Sequence, residues 1–289
     1  MNKIIVIVGP TGVGKTKASV ELAKRLNAEI INGDAVSVYK ELNIASAKPT
    51  LEERSGINHY LLDKVDVCDN YTIYDYQKDA RKAIEQIKEK GKNIIVVGGT
   101  GLYIKSLLYD YKFHEEEINR YDDLTNDQII SKIKEYGKFD IDYSNRRRIV
   151  RLLSKLENNI PLSEKADIIY PSIIIGLTTD RDTLYKVINN RVDNMIKNGL
   201  LDEINNLKDR YKDSRVLNSA IGYKEFNDYF NDNNIENTVE KIKHNSRKYA
   251  KRQFTYFKNQ FKTKWFDVSY DNFNKTIDEI YEYIKKEMN

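Results

Sequence analysis

The stretch Ile4-Ile5-Val6-Ile7-Val8-Gly9-Pro10-Thr11-Gly12-Val13-Gly14-Lys15-Thr16 decides the fold of this chain. Its first five residues are apolar and β-branched, which is typical of a strand buried on both faces. Its last eight match the phosphate-loop pattern G-x-x-x-x-G-K-[ST] at every fixed position. Apolar residues then recur at helical spacing from Ala18 to Leu26. Strand, glycine-rich turn and helix start together predict a loop whose N–H groups and helix dipole hold an anion.

The eight residues of the loop are therefore expected to bind a diphosphate or a nucleotide; they are Gly9, Pro10, Thr11, Gly12, Val13, Gly14, Lys15 and Thr16. The Lys15 ammonium is expected to reach the outer phosphate oxygens, and the Thr16 hydroxyl to bind Mg²⁺. A plain structural turn is the alternative interpretation. The pattern leaves open which phosphate compound binds and whether a phosphoryl group moves.

Strand and helix patterns alternate through the first third of the chain. A short strand is predicted at 29–32, a helix at 73–90 and a second buried strand at 93–97. Such alternation indicates a parallel sheet with helices on both faces. We therefore predict an α/β fold with a P-loop NTPase-like parallel sheet.

The composition becomes polar and helical from about Asp110 to Asp142. We interpret residues 112–142 as a small helical lobe inserted into a catalytic core made of 1–111 and 143–289. A buried strand is predicted at 172–177, and helices are predicted at 146–156, 183–211, 235–257 and 272–287.

A second group of candidate residues follows the strand at 93–97, which ends in Gly98-Gly99-Thr100. Most phosphate-loop NTPases place an Asp that helps to hold Mg²⁺ at the corresponding strand end. Here the glycines permit close backbone approach, and Thr100 offers a hydroxyl and an N–H group to an anion. Asp34 follows the end of the strand at 29–32. We therefore expect Asp34, Thr100 and Lys15 to converge at one edge of the sheet. The alternatives are a tight strand-to-helix turn at Gly98–Thr100 and a helix N-cap at Asp34.

Cationic residues cluster in two places although the net charge is only +4. Nine Lys and Arg residues and no acidic residue lie between Lys241 and Lys264, interleaved with aromatic residues. The second cluster is Arg146-Arg147-Arg148 with Arg151. Basic stretches with aromatic residues are typical of polyanion binding, for example to RNA. A solvated helix face with inward-facing aromatic residues explains them equally well.

The remaining composition argues against several classes of protein. One cysteine, Cys68, excludes an internal disulfide and fits a reducing cytosol. Three histidines and one cysteine disfavour a zinc site. Apolar runs of 18 residues are missing, so the sequence predicts no transmembrane helix.

Further motifs, in chain order, resemble those of the tRNA dimethylallyltransferases, also called tRNA isopentenyltransferases. After the phosphate loop these motifs are Asn32–Tyr39, Ala45–Pro49, His59–Asp63, Gly98–Tyr103, Asn145–Arg151, Asp180–Tyr185, Arg191–Ile196, Ala220–Glu225 and Tyr249–Gln253. The resemblance runs from residue 4 to about residue 268. It departs from the family pattern at Ala35, where a serine is usual, and at Ser37, where a glutamine is usual.

The resemblance implies transfer of a dimethylallyl group from its diphosphate to N6 of the adenosine next to the anticodon. It further implies tRNA and dimethylallyl diphosphate as partners, Mg²⁺ as cofactor with Thr16 as metal ligand, and a cytoplasmic monomer. Asp34 is expected to act as the base, while Thr100, Lys15 and Arg181 contact the diphosphate. The residues expected to contact tRNA are Asp34, Ala35, Val36, Ser37, Thr100, Arg146, Arg147, Arg148, Arg151, Lys248, Lys251, Arg252 and Gln253.

Two other functions are compatible with a phosphate loop. A kinase for a small molecule or nucleotide would consume ATP without RNA, and the Gly98–Thr100 strand end and the basic C-terminal third disfavour it. A non-catalytic RNA-binding module is disfavoured because Lys15, Thr16, Asp34 and Thr100 are all present.

Overall fold

A six-stranded parallel sheet forms the centre of the computed structural model, which describes residues 3–113, 118–162 and 166–288. The order of the strands across the sheet is β3-β2-β4-β1-β5-β6, and every pairing is parallel. The strands are β1 Ile4–Val8, β2 Ala28–Asn32, β3 His59–Tyr60, β4 Asn93–Val97, β5 Ser172–Thr178 and β6 Lys264–Asp267. The predicted P-loop NTPase-like α/β fold is confirmed.

Eleven α-helices, counted over the described ranges, connect and flank these strands. They are α1 Lys15–Leu26, α2 Leu51–Arg54, α3 Ile73–Glu89, α4 Gly101–Leu108, α5 Asn126–Tyr136, α6 Arg146–Glu157, α7 Arg181–Lys197, α8 Leu200–Lys208, α9 Phe226–Asp232, α10 Ile235–Gln260 and α11 Phe273–Met288. The chain divides into one compact unit of Met1–Tyr109 with Ile168–Asn289 and a second of Asp110–Asp167.

Alternate residues of the central strand face two different cores in the first unit. Ile5 and Ile7 pack with α1 and α11, whereas Ile4, Val6 and Val8 pack with α3, α4 and the end of α10. This follows from the two-residue period of a strand covered on both faces. A third cluster joins α8, α9 and the start of α10 to the loop after β2.

The second unit has its own small core between α5 and α6. Ile129 and Ile133 of α5 pack against Ile149 and Leu153 of α6, and all four are fully buried. The sequence assigned α6 to the catalytic core and ended the lobe at 142. The structure instead keeps α6 in the unit of Asp110–Asp167, because the apolar stripe of α6 is buried against α5. Residues 114–117 of the predicted lobe lie outside the described residues.

Several local features differ from the sequence-based prediction. The helix predicted at 183–211 is two helices, α7 and α8, separated at Asn198-Gly199, where Gly199 has φ +91°. The short helix α9 and the edge strand β6 were not predicted. Strand β6 falls in the basic aromatic stretch, and its Trp265 side chain packs, partly buried, against the core that contains Val6 and Phe257.

None of the helices in the described part of the chain is both long and apolar enough to cross a membrane.

A buried carboxylate holds together the amino-terminal end of β2. Glu29 is only 4% exposed and accepts hydrogen bonds from Lys92 at 2.8 Å, Lys90 at 3.0 Å and the Tyr60 hydroxyl at 2.8 Å. Burial alone would raise the pKa of Glu29, but these bonds outweigh it and lower the pKa to about 2. The ionised form therefore stabilises the folded chain.

We expect Glu29→Gln to destabilise the protein at pH 7 by about 2–3 kcal/mol, because the neutral amide attracts the two lysines less. The folded-state pKa lies below the unfolded one, so this stabilisation is present above about pH 4.5 and is lost as pH falls toward 2. Urea unfolding at pH 7, 4 and 3 measures the difference, which should shrink with acidity. Glu21→Gln, which removes an exposed carboxylate paired with Lys24, is the matched control. Equal stabilities of wild type and Glu29→Gln at pH 7 would contradict the expectation.

Candidate active site

The phosphate loop connects β1 to α1, and its lysine lies across it. The Lys15 ammonium donates to the carbonyl oxygens of Gly9 at 3.0 Å and Pro10 at 2.8 Å. Burial lowers the pKa of Lys15 to about 8; the Asp34 carboxylate opposes this shift and Arg191 adds to it. The lysine is therefore close to titrating at neutral to mildly basic pH.

The ends of β2 and β4 approach so closely that only glycine fits between them. A Cβ at Gly98 would lie 2.2 Å from the backbone of Gly33. Gly33 donates its N–H to the Val97 carbonyl at 2.7 Å and accepts from the Thr100 N–H at 3.2 Å. The Thr100 N–H, predicted to bind an anion, is therefore used inside the protein.

Asp34 and Thr100 lie together at this edge, as predicted from the strand ends. The Thr100 hydroxyl oxygen accepts from the Ala35 N–H at 3.0 Å. One carboxylate oxygen of Asp34 accepts from the Val36 N–H at 3.0 Å, which closes a turn. No helix follows directly, so Asp34 is not a helix N-cap. Its second carboxylate oxygen faces Gly99.

Two cavities meet at these residues. The first, which we call the phosphate cavity, has a volume of about 580 Å³ and is lined by the loop with Lys15 and Thr16. The second, the acceptor cavity, has a volume of about 280 Å³ and is lined by Thr100, Arg252 and apolar side chains. Five residues line both cavities; they are Thr11, Asp34, Ser46, Arg191 and Tyr249. A ligand in each cavity would therefore meet its neighbour beside the Asp34 carboxylate.

Arg191, which begins one of the quoted motifs but was not predicted as a site residue, lines the junction of the cavities. Arg191 of α7 donates to the Thr11 hydroxyl at 2.9 Å, and burial lowers the pKa of its guanidinium while Asp34 and Glu53 oppose the shift. The predicted Arg181 lies at the start of the same helix, exposed, with its guanidinium 5.1 Å from the centre of the Tyr185 ring. Arg181 lines neither cavity.

A helical signal could have identified Arg191. On α7, Val187 and Ile188 lie four and three residues before Arg191, and Asn194 lies three residues after it. All four line one or both cavities. Tyr249 of α10 was also missed as a site residue. Burial raises the pKa of its phenol, as does Asp34, while hydrogen bonds with Thr100 and Gln253 act in the opposite direction.

The residues expected to contact tRNA fall into two groups. The first group lines the acceptor cavity and consists of Ala35, Val36, Thr100 and Arg252. The second group is exposed on helices outside that cavity and consists of Arg147, Arg148, Arg151, Lys248 and Lys251. Arg146 instead donates to the Asn126 side chain at 2.9 Å and to the Tyr121 carbonyl at 2.9 Å. These bonds link α6 to the rest of its unit.

Ser37 and Gln253 do not fit the prediction of RNA contact either. Ser37 is 4% exposed and lines the phosphate cavity rather than the acceptor cavity. Gln253 is also 4% exposed, and both ends of its amide are bonded inside the protein. Near the start of α10, Lys241 and Lys243 pair with Asp228 and Asp193, each at 2.8 Å, so this part of the basic stretch is a paired helix face.

The donor set suits Mg²⁺ better than a metal held by protein alone. Thr16 lines the phosphate cavity with a hydroxyl. Across the described residues, no three His, Cys, Asp or Glu side chains group to hold a metal ion. A hard cation that takes a hydroxyl, phosphate oxygens and waters fits this arrangement.

Comparison with known proteins agrees with this geometry. A family model described as IPP transferase matches residues 37–260. A tRNA dimethylallyltransferase of Anoxybacillus flavithermus is 41% identical over 300 residues, which cover 98% of this chain and 96% of that protein. The chain belongs to the IPP transferase family. This membership decides against the kinase and the non-catalytic module as functions.

Solved structures of the family share this fold. The crystal structure of the full-length tRNA isopentenylpyrophosphate transferase from Bacillus halodurans has a TM-score of 0.78 and 38% identity, covering 100% of this chain and 97% of that one. The structure of a eukaryotic dimethylallyltransferase acting on tRNA has a TM-score of 0.78 and 28% identity, covering 92% of this chain and 74% of that one.

The lowered pKa of Lys15 predicts that affinity for dimethylallyl diphosphate depends on pH. Lys15 loses its charge above about pH 8, whereas the last pKa of a phosphate ester is about 6. Between pH 7 and 9, therefore, the lysine titrates and the ligand does not. Calorimetry between pH 7 and 9 should show binding that weakens roughly tenfold at pH 9. Lys15→Arg, which stays charged, should give a flat profile. A flat wild-type profile would contradict the lowered pKa.

The two arginines of α7 offer a direct comparison. We expect Arg191→Ala to raise KM for dimethylallyl diphosphate roughly tenfold to a hundredfold, because a charged hydrogen-bond donor is lost from the junction. Arg181→Ala, on the exposed end of the same helix, should change KM less than about twofold. Steady-state kinetics at saturating tRNA measures both, and the reverse order would restore Arg181 as the clamping residue.

Proposed function

We propose that this protein transfers the dimethylallyl group of dimethylallyl diphosphate to N6 of the adenosine 3′-adjacent to the anticodon, position 37, in tRNAs reading codons that start with U. The observation that carries the proposal is the meeting of the two cavities at Asp34. The family membership and the tRNA-acting relative support the same reaction. The products are N6-(dimethylallyl)adenosine and diphosphate.

The phosphate cavity takes the diphosphate, and the acceptor cavity takes the adenine. Lys15 and Arg191 supply positive charge to the leaving diphosphate, where negative charge grows as the allylic C–O bond breaks. Thr16 would hold Mg²⁺ through its hydroxyl, and the ion would supply further positive charge to the same leaving group. The phosphorus–oxygen bonds within the diphosphate stay intact.

The adenine N6 amine is a weak nucleophile because its lone pair is conjugated with the ring. As the new C–N bond forms at the allylic carbon, one N6 proton passes to the Asp34 carboxylate. Holding both substrates at one point supplies most of the remaining acceleration, since the reacting atoms need a fixed approach. The apolar wall, with Val192, Met195 and Ile242, excludes water that would compete for the allylic carbon.

The target adenosine must leave its stack in the anticodon loop to enter the acceptor cavity. Arg252, which lines that cavity, and the exposed Lys248 and Lys251 on the same helix are suited to phosphate contacts outside it. Arg147, Arg148 and Arg151 form the corresponding surface of the second unit. We further propose that the protein acts as a monomer in the cytoplasm.

The assay combines the protein, dimethylallyl diphosphate, Mg²⁺ and an unmodified tRNA that reads codons beginning with U. Mass spectrometry of the tRNA nucleosides should detect N6-(dimethylallyl)adenosine. A tRNA with guanosine at position 37 is the control and should gain no prenyl group. Failure to form the product with the adenosine-bearing tRNA rejects the function.

Asp34→Asn tests the base. The asparagine oxygen still accepts from the Val36 N–H, so the turn is preserved while the proton acceptor is lost. Prenylation should fall by roughly 10²–10⁴-fold, with tRNA affinity in filter binding unchanged within about twofold. Equal losses of rate and affinity would assign Asp34 to RNA binding instead.

A further inference from the structure

The side chain of Gln253 lies between two parts of the site that no sequence pattern connects. Its amide oxygen accepts from the Thr11 N–H of the phosphate loop at 2.8 Å. Its amide nitrogen donates to the Gly99 carbonyl at 3.1 Å, one residue before Thr100. Gln253 is 4% exposed on α10; its bond to Gly99 is buried and its bond to Thr11 is partly buried.

The fit of this amide against the turn after β4 is close. A Cβ at Gly99 would lie 1.9 Å from the Gln253 amide nitrogen, and the next atom beyond that side chain is an Asp34 carboxylate oxygen at 3.8 Å. The turn therefore has no freedom to move toward α10 while Gln253 is present. The main conflict that an alanine at Gly99 would meet is with this one side chain.

Thr11 is held from two directions. Its N–H donates to Gln253, and its hydroxyl accepts from Arg191 at 2.9 Å. The peptide at Thr11 thus sets the position of a loop N–H and of the guanidinium at the cavity junction. A shift of the Gln253 amide would move both the phosphate loop and the turn that carries Thr100.

We propose that Gln253 is a positioning residue that fixes the phosphate loop and the Gly98–Thr100 turn to the helix whose exposed side carries Lys248, Lys251 and Arg252. Gln253 lines the phosphate cavity, and its amide sets the distance between the diphosphate and the adenine. This inference rests on the proposed function, since the distance matters for a group transfer between the two cavities.

Gln253→Met tests the two hydrogen bonds at nearly constant volume. We expect kcat to fall roughly a hundredfold, because misplacement by about 1 Å costs this much in oriented reactions. The Kd of inorganic diphosphate, measured by calorimetry without RNA, should rise several-fold, and the Kd of an anticodon stem-loop should stay within about twofold. Gln260→Met, an exposed glutamine at the end of the same helix, is the matched control and should change none of these.

A double-mutant cycle with Gly99→Ala keeps the test independent of simple loss of packing. Gly99→Ala should lower kcat in the wild type, where the new methyl group meets the amide, and should add little in Gln253→Ala, where that space is empty. Unfolding midpoints of all four proteins establish that they remain folded at the assay temperature. Additive losses in kcat, or kcat values that merely follow the midpoints, contradict positioning through this contact.

The remaining outcomes separate this inference from the function beneath it. A folded Gln253→Met protein with unchanged kcat and unchanged diphosphate affinity overturns the positioning role. A change only in stem-loop affinity makes Gln253 an RNA contact. Wild-type protein that binds diphosphate yet never prenylates tRNA rejects the proposed reaction, while the diphosphate measurements still report whether Gln253 shapes the loop.

Discussion

The close contact between the backbones of Gly33 and Gly98 is the constraint on which the site depends. β2 and β4 run side by side in register, so they leave the sheet at the same level, where Asn32 pairs with Val97. Because Gly98 has no side chain, the backbone segments that follow β2 and β4 form hydrogen bonds beyond the strands, from Gly33 N–H to Val97 and from Thr100 N–H to Gly33. Those bonds bring Asp34 and the Thr100 hydroxyl together. A larger residue at Gly98 would push the Asp34 carboxylate away from the Gly98–Thr100 turn.

The parts of the site that belong to single strand ends were predictable from the sequence. The loop Gly9–Thr16 combines a motif with the periods of the strand before it and the helix after it, and Asp34 and Thr100 follow from the rule that parallel strands end at one edge. Arg191 and Gln253 were not predictable in the same way. They reach Thr11 from 180 and 242 residues further along the chain, and only the packing of α7 and α10 decides which face of each helix meets the loop.

Two comparisons show that residues adjacent in sequence can lie in different surroundings in the structure. Gln253 follows Lys251 and Arg252, which suggested an RNA-facing residue, yet the helical period turns its side chain inward. The second comparison concerns α6, which carries the arginine cluster. Its apolar residues were predicted to face inward, but the sequence could not show which helix they would pack against. In the structure they pack against α5, within the smaller unit.

The two cavities differ in the side chains that line them. Lys15 and Arg191 bring positive charge to the phosphate cavity, whereas the acceptor cavity, although Lys224 and Arg252 also line it, contains more large aliphatic side chains. A planar base gains from apolar walls, and a diphosphate gains from cations in a partly dehydrated pocket.

The hydrogen bonds of Lys15 have a consequence for ligand selectivity. Its ammonium donates to two carbonyl oxygens of its own loop. Any incoming anion competes with Gly9 and Pro10 for that ammonium. A diphosphate offers several charged oxygens at once and can replace both carbonyls, whereas a monovalent ion such as chloride brings a single charge. The loop thus favours polyvalent phosphates over small monovalent anions.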